Sequence, residues 1–266
     1  MSLTVTILGC GSSAGVPRVG QGWGACDPNN PKNRRRRCAL FVEQTNAEGA
    51  KTQVLIDMGP DLRAQLLDLG VDRLDAILLT HSHADHTHGI DEIRPLVIMH
   101  KQRIDLHMDA ETSAVVRRHF GYIFETPTGS YYPPLLNDLR LTPGESVTIA
   151  GPGGDITFLP FRLHHGEIDA LGFRIGDFAY SPDLNAIPAE SEDHLHGLKI
   201  WLVDALRYKP HPSHFSVAEA LGWIEKLKPQ RAILTNLHTD LDFEQLQAKL
   251  PPHVEPAFDG MRIELL

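Results

Sequence analysis

The feature that most constrains this 266-residue chain is the run Thr80-His81-Ser82-His83-Ala84-Asp85-His86. It follows directly on an apolar stretch, residues 74–79 (Leu-Asp-Ala-Ile-Leu-Leu). A short apolar segment that stops at a polar cluster reads as a buried strand, whose end delivers side chains to the edge of a core. Four metal-type donors so close together cannot all reach one ion from a regular element. In a tight loop they can splay toward two ions, His81 and His83 to one, Asp85 and His86 to the other. Imidazole nitrogen and carboxylate oxygen are donors that zinc-like ions take, and a catalytic site keeps a position open for water. Two such ions, roughly 3.5–4 Å apart, can share a hydroxide and clamp a phosphate or carbonyl oxygen. A solvated histidine-rich loop is the plain alternative, and the strand before the run argues against it.

The rest of the chain reads as an α/β (α+β) fold. Strands are expected at 3–8, 38–43 and 53–57, with a polar hairpin at 44–52, and a helix begins at Pro60 and runs to 69. After the histidine run, helices are expected at 89–99 and 110–120 around a strand at 104–107, then a Gly/Pro/Tyr-rich loop at 121–137. Strands follow near 139–142, 146–149, 155–164, 170–175, 178–181 and 199–204. A helix at 215–227, a strand at 231–235, a helix at 242–250 and strands near 253–257 and 261–265 complete the order. Strands and helices do not alternate strictly. Two mixed sheets packed face to face, with helices outside, fit this better than one parallel sheet. No linker or repeat interrupts the chain, so residues 1–266 are expected to form one domain.

Composition narrows the function classes. Hydrophobic residues make up 42% and charged residues 22%, ordinary for a soluble globular protein. The net charge of −9 argues against broad nucleic-acid binding, though a local basic patch stays open. No apolar stretch approaches the roughly 18 residues of a membrane span. The first residues read as a strand rather than a signal peptide. The three cysteines, Cys10, Cys26 and Cys38, fit a reducing cytoplasm better than a disulfide framework. Nothing decides between a monomer and a homodimer.

The run Thr80–His86 with Gly89 resembles the signature of the metallo-β-lactamase superfamily. The resemblance extends over essentially the whole chain and implies a four-layer αββα sandwich, with the metals at one edge between the sheets. It also implies three later ligands. His165, in His165-Gly166, is similar to the next ligand position and is preferred to His164. Asp183, ending Ala179-Tyr180-Ser181-Pro182-Asp183, resembles the bridging carboxylate. The last histidine of the family follows a strand-ending threonine, where this chain has Asn236 after Thr235. His238 lies two residues on, and in an extended segment would share that face. It is taken as the ligand, with Asn236 as the weaker alternative. The implied set is therefore His81, His83, Asp85, His86, His165, Asp183 and His238, holding two divalent ions, zinc or manganese, with iron also compatible.

Within the superfamily, the start Leu8–Arg18 resembles phosphodiesterase members rather than the lactamases, and the end Phe258–Ile263 resembles the cyclic phosphodiesterases of phosphonate degradation, which open a phosphoribosyl 1,2-cyclic phosphate. The tRNA 3′-processing endonucleases are more distant. The basic run Arg34–Arg37 is either a solvated stretch or a phosphate holder, and Arg35 and Arg37 are the two taken as substrate-binding. His214 precedes the helix at 215–227, where phosphodiesterase relatives carry a histidine that is not a ligand. It is a candidate both for substrate binding and, with Asp85, for catalysis. Asp204 is a candidate to orient a ligand histidine from behind. The phosphonate-pathway enzymes carry a cysteine cluster for a structural zinc. Here only Cys26 remains and Thr239 stands at the partner position, so no structural zinc is expected.

The leading expectation is a binuclear hydrolase of a cyclic phosphate or nucleotide-like phosphodiester, with a metal-bridging hydroxide as nucleophile. Hydrolysis of a lactone, lactam or thioester is the second, and a non-catalytic nucleotide- or metal-binding sensor the third.

Overall fold

A computed structural model describes residues 2–265. The strands in chain order are β1 (Ser2–Gly9), β2 (Ala39–Thr45), β3 (Lys51–Ile56), β4 (Ala76–Leu78), β5 (Ile104–Met108), β6 (Leu136–Arg140), β7 (Val147–Ile149), β8 (Ile156–His165), β9 (Ile168–Ile175), β10 (Phe178–Ser181), β11 (Ile200–Asp204), β12 (Arg231–Thr235), β13 (Val254–Pro256) and β14 (Arg262–Leu265). The helices are α1 (Leu62–Leu69), α2 (Ala84–Thr87), α3 (Arg94–His100), α4 (Ala110–Phe120), α5 (Ala189–Glu192), α6 (Val217–Leu227) and α7 (Phe243–Gln247).

Two seven-stranded sheets form, in the orders β14-β1-β2-β3-β4-β5-β6 and β13-β12-β11-β10-β9-β8-β7. Each sheet is antiparallel on one side and parallel on the other. In the first, pairing turns parallel from β3 to β6, and in the second from β10 to β13. Strand alternation explains the layers. Leu40 and Val42 of β2 point into the space between the sheets, where they join Phe158, Phe173 and Leu202, while Phe41 points out against Leu62 and Ile93. In β11, Leu202 faces inward, and Trp201 and Val203 face outward with Ala220 and Ile224 of α6. Period-2 alternation with apolar residues on both faces is what a sheet covered on both sides requires. The result is the expected four-layer αββα sandwich.

The parallel halves matter for function, because their C-terminal ends meet at one edge of the sandwich. Asp57 follows β3, Thr80 and His81 follow β4, Asp183 follows β10, Asp204 ends β11 and Asn236 follows β12. His165 reaches the same edge as the last residue of β8. Among the described residues, no helix is long and apolar enough to cross a membrane.

Two local expectations are corrected. The second half of the histidine run is not a loop: Ala84–Thr87 makes one helical turn. The helix expected from 215 starts at Val217, because Ser216 caps it in a reciprocal box with Glu219. That cap fixes the backbone two residues after His214.

Candidate metal centre

The edge of the sandwich gathers two overlapping sets of donors. His81, His83, His165 and Asp183 offer ligand atoms within 4.8 Å of one another, as do Asp85, His86 and Asp183. Six of the seven expected ligands thus converge, and Asp183 belongs to both sets. Its Oδ2 lies 3.8 Å from His81 Nε2, 3.5 Å from His86 Nε2 and 3.7 Å from His165 Nε2. One carboxylate oxygen therefore faces both groups, the arrangement a bridging ligand needs.

Backbone and buried side chains hold both sets in place. Met58 N–H donates to the His86 carbonyl and Gly89 N–H to the Met58 carbonyl, each at 2.7 Å. These bonds pin the 84–89 turn to the end of β3. A Cβ at Gly59 would sit 2.1 Å from the Asp85 carbonyl oxygen, and one at Gly89 would sit 2.1 Å from the Gly59 carbonyl oxygen. Only glycine permits that approach. His86 Nδ1–H donates to Asp57 Oδ2 at 2.7 Å, which turns its Nε2 toward Asp85 and Asp183. The Thr80 hydroxyl donates to the same carboxylate and accepts from His81 Nδ1–H at 3.0 Å. His165 Nδ1–H donates to the Ser213 carbonyl at 2.6 Å. Each bond holds Nδ1 and turns Nε2 toward the cluster.

The donor set fits divalent metal. His81 Nε2 is buried and has no hydrogen-bond partner among the described residues, which is costly unless something else coordinates it. Burial pushes the pKa values of His81, His83 and His165 down, toward the neutral imidazole that ligates. Burial opposes the charge on Asp183 too, but His86, His81 and His214 overcome it and hold the carboxyl well below its usual range.

His214 stands beside this cluster. Its Nδ1–H donates to Asp204 Oδ2 at 2.9 Å, and its Nε2 is 3.9 Å from Asp183 Oδ2. Burial lowers its pKa, but Asp204, Asp183 and Asp85 outweigh burial and raise it to about 9. Asp204 therefore holds His214, rather than a ligand histidine, and also accepts from Leu184 N–H.

Two expected site residues lie elsewhere. His238 is not in the cluster: its ring bonds Asp240 at 2.8 Å and Thr239 at 3.2 Å. The expectation needed extended backbone from 236 to 238, but Asn236 takes φ 62, a left-handed turn that sends His238 away. Asn236 itself is buried and its Nδ2 donates to Asp183 Oδ1 at 3.1 Å. Arg35 is not available to substrate, being only 1% exposed. Its guanidinium donates to the carbonyls of His238 (3.2 Å) and Leu241 (2.7 Å) and to Asn33 Oδ1 (3.2 Å), and lies against Cys26 Sγ (3.8 Å). It ties the loop before β2 to the loop after β12. Arg37 differs: its Nε pairs with Asp61 at 3.0 Å, and its side chain stays partly exposed. His164, set aside at the sequence level, pairs with Asp169 on the surface.

Sequence reasoning missed Asp57. The available signal was an acidic residue directly after a buried strand, in Ile56-Asp57-Met58-Gly59, the same signal used for Asp183. A cavity of about 540 Å³ is lined by the opposite strand ends (Leu3, Ile175, Phe178, Ile200) and takes no part in this site.

Comparison with known proteins agrees with this geometry. A family model described as a beta-lactamase superfamily domain matches residues 52–236. The chain belongs to the metallo-β-lactamase superfamily. Its similarity to a crystal structure of a diphosphatase of the PhnP family covers 100% of this chain and 98% of that one, at 35% identity and a TM-score of 0.88. This superfamily member is also 33% identical over 260 residues to an octanoyltransferase of Porphyromonas gingivalis, covering 96% of this chain and 50% of that protein. It is 31% identical over 148 residues to a ribonuclease Z of a Bradyrhizobium species, covering 54% of this chain and 45% of that protein. The chain thus spans about half the length of the curated relatives it matches.

Proposed function

We propose that this protein is a metal-dependent phosphodiesterase with two divalent ions, acting on a cyclic phosphate or a nucleotide-like phosphodiester. The observation that carries this reading is His214: held through Nδ1 by Asp204 at 2.9 Å, it presents Nε2 3.9 Å from the carboxylate shared by two donor sets, and Asp204, Asp183 and Asp85 raise its pKa against burial. Hydrolysis of a phosphate ester needs help at two places, at the phosphate oxygens and at the departing alkoxide. Bound divalent ions supply the first, together with a nucleophile made from water at neutral pH. The protein's own groups supply the second. A hydroxide, its water proton given up to solvent before attack, bonds phosphorus as the phosphorus–oxygen ester bond breaks, and the departing oxygen takes a proton from His214 Nε2. Asp204 holds His214 by Nδ1, so the imidazolium is both oriented and stabilised. Asp85 and His86 would hold the second ion, and Arg37, partly exposed beside Asp61, is taken as the basic residue of the run that meets a substrate phosphate. The similarity to a diphosphatase and to a ribonuclease Z supports hydrolysis at phosphorus, the first name standing for a phosphoanhydride and the second for a phosphate ester.

A second reading, hydrolysis of a thioester or another carboxylic substrate, takes its support from the similarity to an octanoyltransferase. The chain covers half of that protein, so acyl transfer can reside in the other half. A substrate panel separates the readings: bis(p-nitrophenyl) phosphate, a ribose 1,2-cyclic phosphate and a nucleoside diphosphate ester against nitrocefin, a homoserine lactone and a glutathione thioester. Turnover of phosphate esters alone supports the first reading. Turnover confined to the carboxylic substrates overturns it.

A further inference from the structure

Two buried oxygens near the site, the Tyr180 hydroxyl and Asp204 Oδ1, have no hydrogen-bond partner among the described residues. Both side chains lie on the face of their sheet that looks into the sandwich. Tyr180 shares the inner core with Leu202, its register partner on β11, and alternation puts Asp204, two residues past Leu202, on that same face. Diagonal neighbours of this kind lie roughly 7–8 Å apart, within reach of an aromatic side chain. Thr235 of β12 stands directly across from Asp204 and is also buried. Burial pushes the Tyr180 phenol well above its usual pKa, and Cys38, Asp57, Asp183 and Asp204 add to that rise, so the group stays an O–H donor.

The groups around this donor leave it one open acceptor. Asp57 accepts the Thr80 N–H and hydroxyl on Oδ1 and the His86 ring on Oδ2. Asp183 Oδ1 accepts from Asn236, and its Oδ2 faces the two donor sets. Cys38 Sγ is itself a donor, to the Gly11 carbonyl. Asp204 Oδ2 accepts from His214 and from Leu184 N–H, which leaves Oδ1. Buried polar groups are nearly always paired, either within the protein or through an ordered water that makes about three hydrogen bonds.

We infer that Tyr180 is a positioning residue for His214: its hydroxyl donates to a buried water, which in turn donates to Asp204 Oδ1 and Thr235 Oγ1. The inference rests on reading His214 as the proton donor to the leaving group. Held at both oxygens, the Asp204 carboxylate cannot turn, and the His214 ring bonded to its Oδ2 keeps Nε2 aimed over Asp183. No bond of the reaction is made to Tyr180. Its effect passes through Asp204 alone.

Tyr180→Phe removes the hydroxyl and keeps the ring. It is compared with the native protein, with His214→Gln and with the double variant, all loaded with metal. The substrates are ribose 1,2-cyclic phosphate, which releases an alkoxide, and bis(p-nitrophenyl) phosphate. In Tyr180→Phe, kcat should fall about tenfold on the cyclic phosphate with KM unchanged, and stay within about twofold on the nitrophenyl ester. The loss should not add to that of His214→Gln, because both act through one proton transfer. With isotope-labelled histidine, the His214 Nδ1–H resonance should shift in Tyr180→Phe. Equal losses on both substrates, an additive loss in the double variant or an unmoved resonance overturns the role of Tyr180 and leaves His214 as the acid. A His214→Gln variant that hydrolyses the cyclic phosphate as fast as the native protein overturns the reading of His214 instead, and a shifted resonance still supports the link from Tyr180 to Asp204.

Discussion

Asp57 Oδ2 accepts the His86 Nδ1–H at 2.7 Å, and the same carboxylate accepts the Thr80 hydroxyl that orients His81. One buried carboxylate thus aims a ligand of each donor set. Asp57 adopts φ 67, a left-handed conformation that aspartate tolerates better than most residues. Replacing Asp57 by Ala should weaken metal binding in both halves by about 10–100-fold. Thr80→Val should weaken mainly the half that contains His81. Competition against a chromogenic chelator measures both, and unchanged affinity in Asp57→Ala would contradict the assigned role.

His214 gives a prediction about pH. The group is held protonated by Asp204, Asp183 and Asp85 against its burial, with a pKa raised to about 9. A general acid works only while protonated, so kcat should fall as pH rises through the folded pKa. Bound cations near Asp183 offset its negative charge, which moves that limb to lower pH. In His214→Gln the alkaline limb should vanish. kcat should drop by about 10²–10⁴ for alkyl leaving groups and much less for p-nitrophenolate, which departs without a proton. Equal losses with both leaving groups would remove His214 as the acid.

Arg35 and Arg37 should separate stability from substrate binding. Arg35→Met strands the Leu241 carbonyl and removes a donor from the His238 carbonyl and from Asn33 Oδ1, which keep the Leu241 and Phe243 N–H, and should cost about 1–3 kcal/mol, read as a lowered denaturation midpoint. Arg37→Ala removes a partly exposed pair with Asp61 and should cost less than about 1 kcal/mol. It should instead raise KM for phosphate esters. A large stability loss from Arg37→Ala with KM unchanged would reverse the assignment.

Much of this was legible in the sequence because periodicity and strand ends carry it. Strands β10 and β12 fall at their expected residues 178–181 and 231–235, and α4 spans the expected 110–120. His165 was separable from His164 because alternate residues of a strand face opposite ways, and the two do part: one to the cluster, one to Asp169. What failed depended on single backbone angles and on long-range burial. The turn at Asn236 flips the side on which His238 falls, and no local pattern announces a left-handed residue there. Arg35 reads as a substrate-binding charge until the carbonyls of His238 and Leu241, some two hundred positions away, close around it. Asp57 was passed over because its partners lie on the next strand and the turn beyond it.

The most direct test of the central claim is hydrolysis of bis(p-nitrophenyl) phosphate by the protein stripped with a chelator, then reloaded with Zn²⁺ and Mn²⁺, beside Asp183→Ala treated in the same way. The stripped protein should show no turnover, reloading should restore it, and Asp183→Ala should not recover. Equal turnover before and after stripping, or full activity in Asp183→Ala, would contradict it.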